Sequence, residues 1–137
     1  MEGLGRVFNV LPVADDVYVY LGDASAVSFV GFLAAGDTWT LTEAADAAGT
    51  GAAVLPTMTH YHVSATPGAV WQELSQAAAS TIVTTSAQDC VVVTISEAEL
   101  SAGKDWVKLT STSTGTVVAI LHDLKVQRKP QNLPALV

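Results

Sequence analysis

Apolar and polar residues alternate with a period of two along most of this chain. In "DVYVYL", Val17 and Val19 fall on one side and Tyr18 and Tyr20 on the other. "AVSFVGFL" sets Val27, Phe29 and Leu33 against Ser28, Val30 and Phe32, and its two apolar sides mark a central strand. "DTWTLT" sends Trp39 and Leu41 inward and Thr38, Thr40 and Thr42 outward. "TMTHYHV" alternates Thr57, Thr59, Tyr61 and Val63 with Met58, His60 and His62. "CVVVTI" and "WVKLTST" follow, and "TVVAILHDLKV" places Val118, Ile120, His122, Leu124 and Val126 on one face. A period of two with β-branched enrichment predicts strands.

Turn chemistry separates these runs. "LPVADD", "LGDAS" and "AAGD" punctuate the first third, and "GTG" at 49–51 and "TPG" at 66–68 break the middle. "STSTG" at 111–115 predicts a hairpin between the last two strong strands. About nine strands at this spacing predict an all-β fold, an antiparallel sandwich or jelly roll. Two stretches carry capping-box spacing. Thr40 and Glu43 open a possible helix ending at Gly49, but the alternation continues through them and predicts strand to about residue 45. Ser96 and Glu99 meet no competing alternation and predict one helical turn near residues 97–101. "VWQELSQAAAS" fits a helix through Val70 and Leu74 and a strand edge through Trp71 and Glu73 equally.

The last eleven residues, "QRKPQNLPALV", read as an extended arm (127–137) on a sandwich body (1–126). Pro130 and Pro134 exclude a regular helix and press the residues before them into extended geometry. Burying Leu133, Leu136 and Val137 is worth roughly 1.5–3 kcal/mol each before ordering costs. Eleven extended residues reach on the order of 35 Å, past the edge of a small sandwich. The arm therefore straps its own domain or docks on a neighbour. Arg128 and Lys129, beside the prolines, would suit an acidic surface.

Charge narrows the function classes. Six Lys and Arg stand against 13 Asp and Glu, a net charge of −7, which disfavours general nucleic-acid binding. Only 14% of residues are charged, against about 25% in average domains. A surface this poor in charge is expected to be covered in part by neighbouring subunits. No run reaches the length of a membrane span, and "MEGLGRVFNV" lacks the layout of a secretory signal, so the expectation is a protein made in the cytoplasm without a membrane partner. Cys90, the single cysteine, lies in "DCVVVTI" next to Asp89 and reads as a small buried hydrophobe.

His60 and His62 would share a strand face and could chelate an ion with His122, Cys90 or an acid as third ligand, but no paired cysteines or helical zinc spacing support a metal or any other cofactor. His122 beside Asp123 suggests a nucleophilic triad. Adjacent strand residues point to opposite faces, however, and no serine lies in a nucleophile elbow. Asp15 with Asp16, and Glu97 with Glu99, read as turn and capping acids. Trp39, Trp71 and Trp106 could line a carbohydrate groove, yet they are spread over three strand-like segments and fit core or interface packing better. Tyr18, Tyr20 and Trp71 are the aromatic candidates for a protein contact.

"DVYVYLGDASAVSFVGFLAAGDTWTLTEAADAAGTGA" and "VVVTISEAELSAGKDWVKLTSTSTGTVVAILHDLKV" together resemble the small β-sandwich virion proteins of tailed bacteriophages. "TLTEAADAAGTGA" and "SEAELSAGKDWVKLTSTSTG" carry most of the likeness. The resemblance implies a non-enzymatic capsid decoration or cement protein on the head exterior. It would be commonly trimeric, with the major capsid protein lattice as partner and terminal arms gripping neighbours. In this chain that role would fall to Arg128, Lys129, Pro130, Leu133, Pro134, Leu136 and Val137. A tail or head-tail component of similar fold and a glycan-binding sandwich are the alternatives.

Overall fold

A computed structural model describes residues 2–12, 14–32, 34–113 and 115–137, and the alternation resolves there into eleven strands. These are β1 (Phe8–Leu11), β2 (Tyr18–Tyr20), β3 (Ala24–Phe32), β4 (Thr38–Ala44), β5 (Ala53–Val54), β6 (Met58–Ser64), β7 (Gln72–Ala79), β8 (Thr81–Val83), β9 (Cys90–Ser96), β10 (Trp106–Ser111) and β11 (Thr116–Leu124). The surplus over the nine expected comes from the short β5 and β8. One antiparallel sheet has the order β1-β11-β3-β9-β6-β7; the other has β2-β10-β4-β5, with β8 also on β4. The fold is an all-β sandwich, and β3 is central as its two apolar sides required. Leu33, placed above on one side with Val27 and Phe29, lies outside the described residues, as do Met1, Val13 and Thr114.

The core forms where the inward faces meet. Val19, Val27, Phe29, Trp39, Leu41, Val91, Val93, Val107, Leu109, Val117, Ala119 and Leu121 are all buried. Trp39 is the largest of them, and it fits because the opposing strand offers no side chain. A Cβ on Gly31 of β3 would lie 2.2 Å from Cζ2 of its indole. The glycine weakens its strand in isolation, but it lets a bulky ring cross from one sheet onto the backbone of the other.

Both capping-box segments resolve as the sequence indicated. Thr40 and Glu43 lie in β4, so the alternation overrides the helix signal there. Ser96 caps a 3₁₀ turn at Glu97–Glu99: its hydroxyl accepts from the Ala98 amide, and its own amide donates to Glu99 Oε2 at 2.7 Å. The "VWQELSQAAAS" segment is strand β7, the edge of the larger sheet. Between the pairs Met58–Ala79 and His60–Ser75, three residues of β7 oppose one of β6. The Gln76 amide fills this bulge, donating to the carbonyls of Met58 and Thr81. The irregularity also turns Met58 inward with Tyr61 and Val63, off the face expected of it.

One further expectation fails for a physical reason. Residues 111–115 do not close a hairpin, because β10 pairs with β2 and β4 while β11 pairs with β1 and β3. Asp15 Oδ1 accepts from the Ser111 amide at 2.8 Å and Asp37 Oδ1 from the Thr112 amide at 2.9 Å, so the chain is drawn out of the β10 sheet and crosses over. The face of β11 bearing Val118, Ile120 and His122 points outward and is half-buried, while Val117, Ala119 and Leu121 fill the core.

The arm straps its own domain. The Arg128 amide donates to the Gly5 carbonyl at 2.8 Å and the Tyr20 amide to the Leu136 carbonyl at 2.9 Å. Arg128 Nη1 meets Asp23 Oδ2 at 2.8 Å. Lys129 and Leu133 are extended, as their prolines dictate, and a 3₁₀ turn spans Pro130–Asn132. Leu136 packs against the core, and about 10 Å³ remains beneath Leu133, Pro134 and Leu136, room for at most one water. The strap thereby occupies the edge of β2 that faces away from β10.

Gly31→Ala should destabilise the protein by about 1–3 kcal/mol, because the indole of Trp39 is fixed and the new methyl has to displace it. Urea unfolding followed by tryptophan fluorescence reads the change; an unchanged midpoint would show that the two sheets can slide apart at this contact.

Candidate functional site

Buried carboxylates are the first place to look for chemistry, and there are two. Asp37 sits at the corner between β3 and β4. Its Oδ2 accepts from Trp39 Nε1 at 2.7 Å and Ser111 Oγ at 2.6 Å; its Oδ1 accepts from the Thr38 amide at 2.7 Å and from the amide and hydroxyl of Thr112 at 2.9 and 3.0 Å. The Asp37 amide donates to Thr84 Oγ1 at 2.8 Å, and that hydroxyl bonds the Ala34 carbonyl. Burial pushes the Asp37 carboxyl upward, but the donors from Ser111, Thr112 and Trp39 outweigh it and hold the group below the ordinary aspartate value. Glu43 behaves alike. Burial opposes its charge, and the Ser101 amide and hydroxyl at 2.8 and 2.7 Å with Lys104 Nζ at 3.1 Å bring it below the usual glutamate value. Asp37 thus accepts from five protein donors and Glu43 from three, which fixes both carboxylates in place.

The outer face of the larger sheet holds a relay that sequence reasoning rejected. Ser28 Oγ lies 3.0 Å from His122 Nε2, and His122 Nδ1 lies 2.8 Å from Asp123 Oδ2. Asp123 leaves the strand conformation with φ of +53°, which turns its carboxylate onto the ring of the preceding residue. Nucleophile, base and orienting acid thus stand in sequence. The amides that would have to stabilise an oxyanion are engaged elsewhere, because Ser28 lies mid-strand in β3, paired to Ile120 on one side and Thr94 on the other. Ser28 Oγ also contacts Thr94 Oγ1 at 2.7 Å. The group stitches β11, β3 and β9 together across an open face.

Other candidates separate in space. His60 and His62 do share a face, with rings 6.1 Å apart, and His62 leans on Glu73 at 3.5 Å. Among the described residues no group of three or more His, Cys, Asp or Glu is placed to hold a metal. Cys90 is buried, and burial with the charge of Asp89 pushes its thiol up, away from reactivity. The tryptophans line no common groove: Trp39 is core, Trp106 stacks on Tyr20 at 5.1 Å, and Trp71 is exposed beside the edge strand β7 of the larger sheet. Tyr18 lies under Lys108, whose Nζ is 5.0 Å from the ring centroid and 2.9 Å from Asp16. The hydrogen bond that Lys108 donates to Asp16 raises the lysine and, in return, lowers the aspartate. Tyr18 and Tyr20 are half-buried on β2, apart from Trp71 on the other sheet.

The arm residues divide into two groups. Leu133 and Leu136 are half-buried against their own domain, with Pro134 lining the same seam, and Val137 is exposed. Arg128 and Lys129 line a cleft of about 250 Å³ with Gln127 and Arg6. Arg6 escaped sequence reasoning. The only signal was its place in "GLGRV", where Gly5 has φ of +80° and closes a tight turn against the arm. Comparison with family models, with curated proteins and with solved structures finds no match.

A carboxyl depressed in the folded state adds stability that is complete above its unfolded pKa and is lost as pH falls through the folded value. Asp37 and Glu43 are both of this kind. Urea midpoints should therefore hold steady above about pH 5 and fall as pH drops through and below about 4. Asp37→Asn should cost about 3 kcal/mol at neutral pH and make that acid slope shallower, since an amide cannot accept from every donor around it. Equal acid slopes in the two proteins would remove Asp37 as a source of the dependence.

Proposed function

We infer that this chain is a non-enzymatic structural subunit of a virion, a decoration or cement protein on the exterior of a tailed-phage head. The observation that carries this reading is one sheet face. Antiparallel register aligns Val10, Ile120, Ser28 and Thr94 in one row and Val118, Val30, Val92 and His62 in the next, with Phe8 and Phe32 at the ends. Phe8, Val10 and Phe32 are 36–39% exposed. No Lys, Arg, Asp or Glu enters those two rows until Glu73, on the edge strand β7. The scarcity of charge seen in the composition is thus concentrated on a face suited to another protein surface.

The size of the face sets how it would be used. Four strands about 4.8 Å apart and five residues at about 3.3 Å give roughly 250 Å², against about 800 Å² per partner in a stable pairwise interface. One such contact is weak. Repetition over a lattice converts weak contacts into firm attachment, because each one formed raises the effective concentration of the next. Self-association through this face into a trimer, with the capsid lattice supplying the remaining contacts, follows the same logic. The resemblance to virion sandwiches points the same way.

Val30→Glu should block self-association at high concentration while moving the thermal midpoint little, because the new charge is solvated in the monomer and buried only in the contact. Sedimentation velocity over a concentration series measures this. Immunogold microscopy of particles bearing the chain should show regular labelling of the head. A chain that stays monomeric at every concentration and labels no particle would end the reading.

A further inference from the structure

Six Lys and Arg are present in the sequence, and four are neutralised within the fold: Lys104 by Glu43, Lys108 by Asp16, Lys125 by Glu97 and Arg128 by Asp23. The two without a carboxylate partner are Arg6 and Lys129, and both line the same 250 Å³ cleft. Arg128 lines it too, with its Nη1 held by Asp23 at 2.8 Å. On a protein of net charge −7, the Lys and Arg side chains that lack a carboxylate partner among the described residues converge on one place.

The cleft is fixed in shape. The Gly3 carbonyl accepts from the amides of Arg6, Val7 and Phe8 and tightens the turn that carries Arg6. The Arg128 amide then donates to the Gly5 carbonyl at 2.8 Å. A Cβ on Gly5 would sit 2.4 Å from the Arg128 carbonyl oxygen, so this backbone approach depends on glycine. The two walls, residue 6 and residues 127–129, are thus locked together before any ligand arrives, which lowers the ordering cost of binding.

We propose that this cleft binds the carboxylates of a short acidic segment of a partner protein. Arg6 supplies a planar fork suited to one carboxylate, Lys129 a point charge for a second, and Gln127, which also lines the cleft, a neutral amide donor. A nucleic-acid backbone fits poorly, since it needs a track of cations and this chain carries a net charge of −7. The site stands apart from the assembly reading. Acidic-peptide affinity concerns the cleft alone, whereas attachment to particles concerns the sheet face as well.

The test is a titration of the full ¹⁵N-labelled chain with a capped hexapeptide of alternating Glu and Asp at low salt. Parallel arms use the matched Gln/Asn peptide and inorganic phosphate. Amide shifts should cluster at Arg6, Gln127, Arg128 and Lys129, saturate with the acidic peptide and be absent with its neutral twin. Arg6→Gln and Lys129→Gln should each weaken binding by about tenfold, the loss of one charge-assisted contact, while Lys125→Gln changes it less than about twofold. Both cleft residues are exposed, and equal thermal midpoints will show that the variants fold. Absence of saturable shifts, binding that survives both cleft variants, or phosphate binding as tightly as the peptide would each overturn the proposal. If the peptide binds and Val30→Glu still abolishes self-association, the two surfaces are independent.

Discussion

A single buried carboxylate holds this sandwich in register. Asp37 gathers five donors from three parts of the chain: its own corner, the indole of Trp39 and the end of β10. Each of those donors would be costly to leave unpaired in the interior. Without Asp37 the Trp39 N–H would have no acceptor, and the ring could not lie across Gly31 at the centre of the opposing sheet. The same carboxylate bends the chain out of β10 at Thr112 and so decides that β11 joins the other sheet. Packing, topology and a polar cluster are thus one constraint at this corner, and Thr84 extends it to the segment between β8 and β9 through the Ala34 carbonyl.

This use of acids shapes the rest of the surface. Glu43 gathers Ser101 and Lys104, Asp16 holds Lys108 over Tyr18, and Asp23 ties Arg128 to the body. Acids here mostly serve as acceptors for backbone, hydroxyl and cation donors that would otherwise be unpaired at sheet ends. Ions placed at the rims leave two rows of the outer face of the larger sheet to Val, Ile, Ser, Thr and His62. The Ser28–His122–Asp123 chain belongs to that face as well. It has the order of a proton relay and rests on a strand where Ser28 is paired to Ile120 on one side and Thr94 on the other.

Much of the fold was legible because alternation and turn residues are local. Trp39 and Leu41 against the threonines of β4, the two-sided apolarity of β3 and the Ser96–Glu99 box need no knowledge of distant partners. The failures all involve long-range information. Nothing in "STSTG" says that Asp15 and Asp37, some 75 to 96 residues away in sequence, will catch Ser111 and Thr112. Nothing in "HD" says that Asp123 will adopt a positive φ and fold its carboxylate onto His122. The bulge that turns Met58 inward lies mostly in the partner strand. Of the candidate site, the basic pair Arg128 and Lys129 was visible, but Arg6 was not, since its proximity depends on a turn closing against the other end of the chain.

The arm joins these threads. Two of its apolar residues are used at home: Leu136 seats on the core and covers the β2 edge, and Leu133 closes the seam, while Val137 stays exposed. To grip a neighbour with the same side chains, the strap would have to peel away, giving up two backbone hydrogen bonds and the Arg128–Asp23 pair. It could recover all of them on an identical subunit, which is the exchange known as domain swapping. For free chains the intramolecular seat wins, because its effective concentration exceeds that of any dilute neighbour. For copies fixed side by side the difference narrows, and prolines that keep the strand extended reduce the entropy lost in either seat. A strap closed in cis in the isolated chain is therefore compatible with exchange in an array. In both states Arg128 stays tied to an Asp23, while Arg6 and Lys129 remain the cations left to meet an acidic partner.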